Sequence, residues 1–144
     1  NESHCNKEVF MAKASIAKQL TVETKNKAGM LAEVAGVIAA AGANITAICA
    51  FQMEGKAYFY VLTSNNNKAK KALEQKGHTV KEEDIVSVML EDKVGQAKEI
   101  AEKIKAAGID LSYIYGSTCG CADTQALLVI GSKENVKVIS AING

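Results

Sequence analysis

Apolar and polar positions alternate from about residue 17 to Thr24, with Leu20, Val22 and Thr24 set against Thr21 and Glu23, and this period of two predicts a strand. Lys25 to Gly29 reads as a turn. Met30, Leu31, Val34, Ala35, Ile38 and Ala41 then recur at helical spacing, and Gly42 supplies the stop. Asn44 to Met53 is expected to be a long strand with Ile45, Cys49, Phe51 and Met53 on one face. Glu54-Gly55-Lys56 is a hairpin turn into the aromatic strand Tyr58 to Thr63. Asn65-Asn66-Asn67 caps a second helix that ends at Lys76-Gly77, and His78 to Lys81 is a short edge strand. The order is β-α-β-β-α-β, an α+β arrangement of ferredoxin-like type with an antiparallel sheet and helices on one face.

The pattern repeats. Val22 to Ile45 aligns with Val88 to Leu111 at a spacing of 66 residues, so that Gly29 falls on Gly95, Gly42 on Gly108 and Asn44 on Asp110. A repeat of this kind predicts two copies of one supersecondary unit. The expected organisation is an N-terminal tail or extra strand over 1–13, a first unit over 14–83 and a second over 84–144. In the second copy Ile85 to Glu91 is a strand, Asp92 to Gly95 a turn, and the helix turns Ala97, Ile100, Ala101, Ile104 and Ala107 inward. Strands Ile109 to Tyr115 and Gln125 to Ile130 follow, then a helix over Glu134 to Ile142, and no last strand. The edge so exposed calls for a cover: the N-terminal segment, a neighbouring subunit or further residues. The helix Met30 to Ala41 carries Glu33 as its one charge, so it is expected to pack on more than one side, against the other copy or another subunit.

Composition narrows the function. The formal net charge is +1, with lysines scattered along the chain, so nucleic acid is not an expected partner. All 17 cations are lysine, which removes the bidentate guanidinium clamp. A bound anion would then rest on backbone N–H groups, helix termini or lysine point charges. No apolar run approaches the ~20 residues that span a bilayer, and Asn1 to Asn6 lack the layout of a signal peptide. The cytoplasm is the expected location. Four cysteines, Cys5, Cys49, Cys119 and Cys121, fit a reducing compartment better than a disulfide scaffold.

The turn before each repeat helix is the leading candidate for chemistry. Strand, turn, glycine and helix start bring free N–H groups and the positive end of the helix dipole together, a natural carboxylate or phosphate site. Asn26 and Asp92 hold equivalent places in these turns, as capping residues or ligand contacts. Asn44 and Asp110 are equivalent at the mouth of the next strand, where they satisfy local backbone or read an ammonium or amide group.

Asn26-Lys27-Ala28-Gly29-Met30-Leu31 followed by Gly42-Ala43-Asn44-Ile45 resembles the ACT domain, the small-molecule sensing module of aspartokinase, phosphoglycerate dehydrogenase and phenylalanine-regulated enzymes. The turn of that family reads Asp/Asn-x-Pro-Gly-x-Leu, and its second strand commonly opens Gly-x-Asn-Ile. The resemblance covers residues about 17 to 83 well and 85 to 142 more weakly. The family's proline is Ala28 here and Val94 in the second copy, and its leucine is Leu31 and then Ala97. The resemblance implies two ACT-type units, the second without its last strand. It also implies pairing through helices or strand edges, and an amino acid held where the turn of one domain faces the second strand of another. Carried over by position, the implied ligand-binding residues are Asn26, Lys27, Gly29, Met30, Leu31, Asn44 and Ile45, with Asp92, Val94, Gly95, Gln96 and Asp110 from the second copy.

Other chemistry has thinner support. Cys119-x-Cys121 places two thiols close enough for a soft metal, but His4, Cys5, Cys49 and His78 offer no second compact pair, and no metal or cofactor is expected. No Ser-His-acid set or P-loop is present, so no catalytic residue is assigned. Lys81-Glu82-Glu83-Asp84 reads as a charged connector, and Tyr58 and Tyr60 as cover for a sheet face. The expected function is a non-catalytic regulatory protein. It binds an amino acid between units, forms a homo-oligomer (a dimer by preference) and signals to a partner protein. The alternatives are an assembly module without ligand binding, or a cysteine-based metal or redox protein.

Overall fold

A computed structural model describes residues 12–117 and 125–144. The described elements are β1 (Lys13–Lys25), α1 (Met30–Ala40), β2 (Ile45–Met53), β3 (Lys56–Thr63), α2 (Asn66–Gln75), β4 (Thr79–Glu91), α3 (Gln96–Ala106), β5 (Tyr113–Ser117), β6 (Gln125–Gly131) and α4 (Asn135–Asn143). They form two compact units. The first is Lys18–Asp84; the second joins the described residues 12–17 with those of Ile85–Gly144.

In the first unit the strand order is β2-β3-β1-β4, the ferredoxin-like order. β1 and β3 are antiparallel, with Leu20 opposite Val61, Val22 opposite Phe59 and Thr24 opposite Ala57. These pairs point at the helices, and all of their residues but Thr24 join Val34, Ile38, Ala69, Leu73 and Val80 in one buried cluster. Leu20, Val34, Ile38 and Leu73 have no exposed surface. Each such side chain contributes about 1.5–3 kcal/mol by leaving water. The other sheet face carries Glu23 and Thr21 against Tyr58 and Tyr60, with Phe51 stacked on Tyr58 at 5.5 Å and edge-on to Tyr60 at 5.2 Å.

Two sequence expectations change here. Ile45 does not share a face with Cys49 and Phe51. The β2–β3 register shifts between Ile45 and Ala47, and this bulge returns Ile45 to the helix side, packed on the core. Lys81 to Asp84 is no connector: β4 runs unbroken from Thr79 to Glu91, and its four exposed charges sit on the outermost strand of the first unit, where charge guards an edge. One of them, Asp84, pairs with Lys18. The helix α1 buries a single stripe, Met30, Val34 and Ile38, while Leu31 is 58% exposed and Ala32, Ala39 and Ala40 are exposed with it.

The second unit solves its missing strand from within the chain. Its strand order is β1-β4-β6-β5, and the strand beside β4 is the N-terminal part of β1. Ala14 lies in the second core with Val86, Val88, Ile104, Ile130 and Ile142. The last residue of α4 clamps it: the Ala14 N–H donates to Asn143 Oδ1 and Asn143 Nδ2 donates to the Ala14 carbonyl, both at 2.8 Å. Of the three covers considered for that edge, the N-terminal segment is the one found. Within α3 the buried residues are Gln96, Ile100 and Ile104, whereas Ala97, Ala101 and Ala107 are exposed.

Candidate functional site

The two turns share one backbone geometry. Gly29 has φ 86° and Gly95 φ 91°, the left-handed region that favours glycine, and each stands directly before its helix. The Met30 N–H donates to the Lys27 carbonyl at 3.4 Å and the Gln96 N–H to the Lys93 carbonyl at 3.4 Å. The first helical bonds, Glu33 to Gly29 and Glu99 to Gly95, are both 3.0 Å. Neither glycine offers a side-chain cap. Among the described residues the N–H groups of Leu31 and Ala32, and of Ala97 and Lys98, therefore have no acceptor. The positive end of each helix dipole is left open at these points.

The far ends of the helices repeat as well. Gly42 donates to the Ala39 carbonyl and Ala43 to that of Ile38, while Gly108 donates to Lys105 and Ile109 to Ile104, the same Schellman closure in both copies. Immediately beyond stand Asn44 and Asp110. Their backbones are fixed, Asn44 by Ser64 in both directions and Asp110 by a 2.8 Å bond from Ser132 Oγ to its carbonyl. Their side chains are exposed and, among the described residues, unpartnered.

The expected site residues therefore fall at two ends of each unit. Asn26, Lys27, Gly29, Met30 and Leu31 sit at one end of α1, Asn44 and Ile45 at the other. The 11-residue helix holds them about 16 Å apart. Asp92, Val94, Gly95 and Gln96 are separated from Asp110 by α3 in the same way. Within one unit the two groups do not meet. Met30 and Gln96, the first residues of the helices, are turned into their own units at 5% and 9% exposure, and Ile45 packs on the first core. Asn26, Lys27, Gly29, Leu31, Asp92, Val94 and Gly95 are exposed.

At the turn end of the first unit lies a cavity of about 710 Å³, into which Asn26, Lys27 and Met30 face together with Lys56, Lys76 and His78. Glu23 on its wall accepts from Lys56 Nζ and from the Tyr58 hydroxyl, both at 3.2 Å. The lysine first, and the phenol after it, hold the Glu23 carboxyl below the usual range. The same carboxylate raises Lys56, while burial followed by this hydrogen bond raises Tyr58. His78 went unassigned in the sequence because it was one of two histidines with no partner motif. Its side chain is nine-tenths buried, and its Nε2 lies 2.8 Å from Glu33 Oε2, at ion-pair distance but out of line for a hydrogen bond. Glu33 sits one turn into α1, so only a folded chain brings the two together.

Cys5, His4, Cys119 and Cys121 lie outside the described residues, and Cys49 is a free thiol, half-buried. Among the described residues no group of three or more His, Cys, Asp or Glu is placed to hold a metal ion, and no helix is long and apolar enough to cross a membrane.

Comparison with known proteins agrees with this architecture. The chain is similar in structure to protein BT0572 from Bacteroides thetaiotaomicron, at 27% identity over 90% of this chain and 88% of that one, with a TM-score of 0.80. It shares its fold with the ligand-free regulatory subunit of aspartate kinase from Thermus thermophilus: 14% identity, 90% and 94% coverage, TM-score 0.64. It also shares it with part of E. coli aspartokinase III in complex with lysine and aspartate: 17% identity, 92% of this chain and 32% of that one, TM-score 0.56. No curated protein matched the sequence. Residues 15–140 match the family described as the ACT domain pair. With the duplicated βαββαβ units and their twin glycine turns, this match establishes that the chain belongs to the ACT domain pair family.

Proposed function

We propose that this protein is a non-catalytic sensor that binds a small amino acid where the turn end of one unit meets the strand-mouth end of another, in the chain or in a second copy. The observation that carries this reading is the split of each unit into two complementary halves. One end offers unpaired helix-start N–H groups at Gly29 or Gly95; the other offers an exposed, unpartnered Asn44 or Asp110. The first half suits a carboxylate without any arginine, and the second suits an ammonium group. Aspartokinase III, which shares this fold, was crystallised with two amino acids bound, and this supports the choice of ligand class. The ligand would shift the protein toward its paired arrangement, which is all that signalling to a partner requires.

A thermal-shift screen of the common amino acids tests the reading. A ligand at ~100 times its Kd adds about 2.7 kcal/mol of stability. The expected hit weakens on Asn44→Ala or Asp110→Ala, both exposed and so harmless to the fold. A flat screen removes the proposal. The exposed apolar strip of α1, Leu31 with Ala32 and Ala39, favours assembly through that helix as a second reading. Self-association that is lost on Leu31→Lys, with no ligand response, would support it.

A further inference from the structure

The turn ends of the two units share a backbone but not a charge. Lys25 stands opposite Lys56 where the β1–β3 ladder closes, and the corresponding pair of the β4–β6 ladder is Glu91 opposite Gln125. Along the chain, Lys25-Asn26-Lys27 likewise falls on Glu91-Asp92-Lys93. In the second copy Lys93 lies 2.9 Å from Glu91, whose carboxylate raises its pKa, so that turn is neutralised from within. In the first copy Lys56 has Glu23, whereas Lys25, Lys27 and Lys76 have no ion-pair or hydrogen-bond partner among the described residues. Like charges directly opposite in a ladder destabilise it. An anion shared between them removes that cost.

All four lysines line the cavity of about 710 Å³ at the turn end of the first unit, against two carboxylates, Glu23 and Glu33. Glu23 is already taken up by Lys56 and Tyr58. The charge left facing the cavity is therefore positive, and a concave wall concentrates such a field. The wall also includes His78, a nine-tenths buried side chain whose Nε2 has no hydrogen-bond partner among the described residues. A buried nitrogen left in this state is costly. Glu33 covers it from 2.8 Å, out of line, on a side chain 42% exposed and so able to swing toward solvent. From α1 the wall takes Met30 and Glu33 but neither Leu31 nor Ala32, so the free helix-start N–H groups do not belong to it.

We infer that this cavity binds a phosphate monoester of a small hydroxylated compound, wholly within the first unit. A phosphate group carries about two negative charges at neutral pH. It sits among Lys25, Lys56 and Lys76 and displaces Glu33 from His78, whose Nε2 then donates to a phosphate oxygen. In a chain without arginine, lysine point charges are the side chains left to hold it. The cavity falls within the roughly 300–1,000 Å³ usual for small-molecule sites, which leaves room beyond the phosphate, and Asn26 and Thr79 on its wall suit hydroxyl groups. An amino acid at the junction would use other groups, the helix-start N–H donors and Asn44, so neither reading depends on the other.

The test titrates the full chain with α-glycerophosphate, ribose-5-phosphate and glucose-6-phosphate at constant ionic strength, with inorganic phosphate, sulfate and glucose as comparisons. Calorimetry gives the affinity, and NMR of the His78 imidazole reports the site. At least one ester should bind saturably, more tightly than inorganic phosphate or sulfate, and shift Nε2. Lys25→Glu, which copies the second unit at an exposed position, should weaken that binding about tenfold or more. Lys71→Glu, exposed on α2 and outside the wall, should leave it nearly unchanged. Glu33→Gln removes the competing carboxylate and should tighten it. A flat titration with all three esters, a His78 signal unmoved at saturation, or equal losses from Lys25→Glu and Lys71→Glu overturn the proposal. Inorganic phosphate or sulfate binding as tightly as every ester overturns the ester assignment. An amino-acid hit that survives Lys25→Glu, beside a flat ester titration, would leave the junction reading standing and remove this one.

Discussion

Single residues carry two of the features on which this fold depends. Glu23 lies opposite Tyr58 in the β1–β3 ladder and accepts from both Tyr58 and Lys56. Its folded pKa is therefore lowered, the lysine being the larger cause. A carboxyl depressed in this way contributes stability that is full above its unfolded pKa and is lost as pH falls through the folded one. Carboxyl-carbon NMR should find the Glu23 midpoint below that of an ordinary glutamate. Lys56→Met should move it upward by more than Tyr58→Phe does; equal or reversed shifts would contradict the assignment. The turn glycines make a conformational claim instead. Gly29 and Gly95 hold φ of 86° and 91° with open space where a Cβ would go, so alanine there meets no clash and pays only for the left-handed backbone. Gly29→Ala and Gly95→Ala are each expected to cost about 1–2 kcal/mol in urea unfolding. A neutral result would show that the turn relaxes out of that region.

Elements were legible in the sequence where a period or a stop residue spoke locally. The helices α1 and α3 begin after Gly29 and Gly95 and close at Gly42 and Gly108, as the spacing predicts, and Asn65 caps α2 through a 3.2 Å bond from the Lys68 N–H. Reading failed where the deciding contact is remote. The run Lys81 to Asp84 is charged like a loop, yet it is a strand because β1 lies beside it. Ile45 changes face because of a bulge against β3, which alternation along β2 alone does not reveal. The N-terminal segment stood as one of three covers for the second sheet, and the sequence could not choose it because its partner Asn143 lies 129 positions away. Of the candidate site, the turns and Asn44 and Asp110 could be read from the repeat, while the Glu33–His78 pair needed the folded chain. Asn143→Ala removes both clamps on Ala14 and strands a buried N–H; a loss of about 1–3 kcal/mol is expected. Asn143→Asp keeps the acceptor and loses the donor, so it should fall between. If both variants match the parent, the clamp does not hold the strand.

At the scale of the molecule, the units are not joined by a linker at all. β1 spends Lys13–Ala17 on the second unit and Lys18–Lys25 on the first, and β4 crosses from the first to the second between Asp84 and Ile85. Both crossings occur inside a strand, so cutting the chain at the repeat boundary cannot yield two whole domains. Among the described residues, 85–144 alone have β4, β6 and β5 but no fourth strand, and their β4 edge presents unpaired N–H and C=O groups to any other chain. The Asn143 clamp brings Ala14 beside the C-terminus, which suggests a direct remedy. A chain running 85–144, then a short Gly-Ser linker, then residues 12–17, restores the β-α-β-β-α-β order within one unit. That chain is expected to be monomeric by size exclusion and to unfold cooperatively in urea, with the modest stability of a unit of its size. Residues 85–144 without the appended strand should self-associate or fail to give a cooperative transition. If both chains proved monomeric and equally stable, the N-terminal strand would be an ornament of the second unit. If only the extended chain folds, the strand is what makes the second ACT copy a domain.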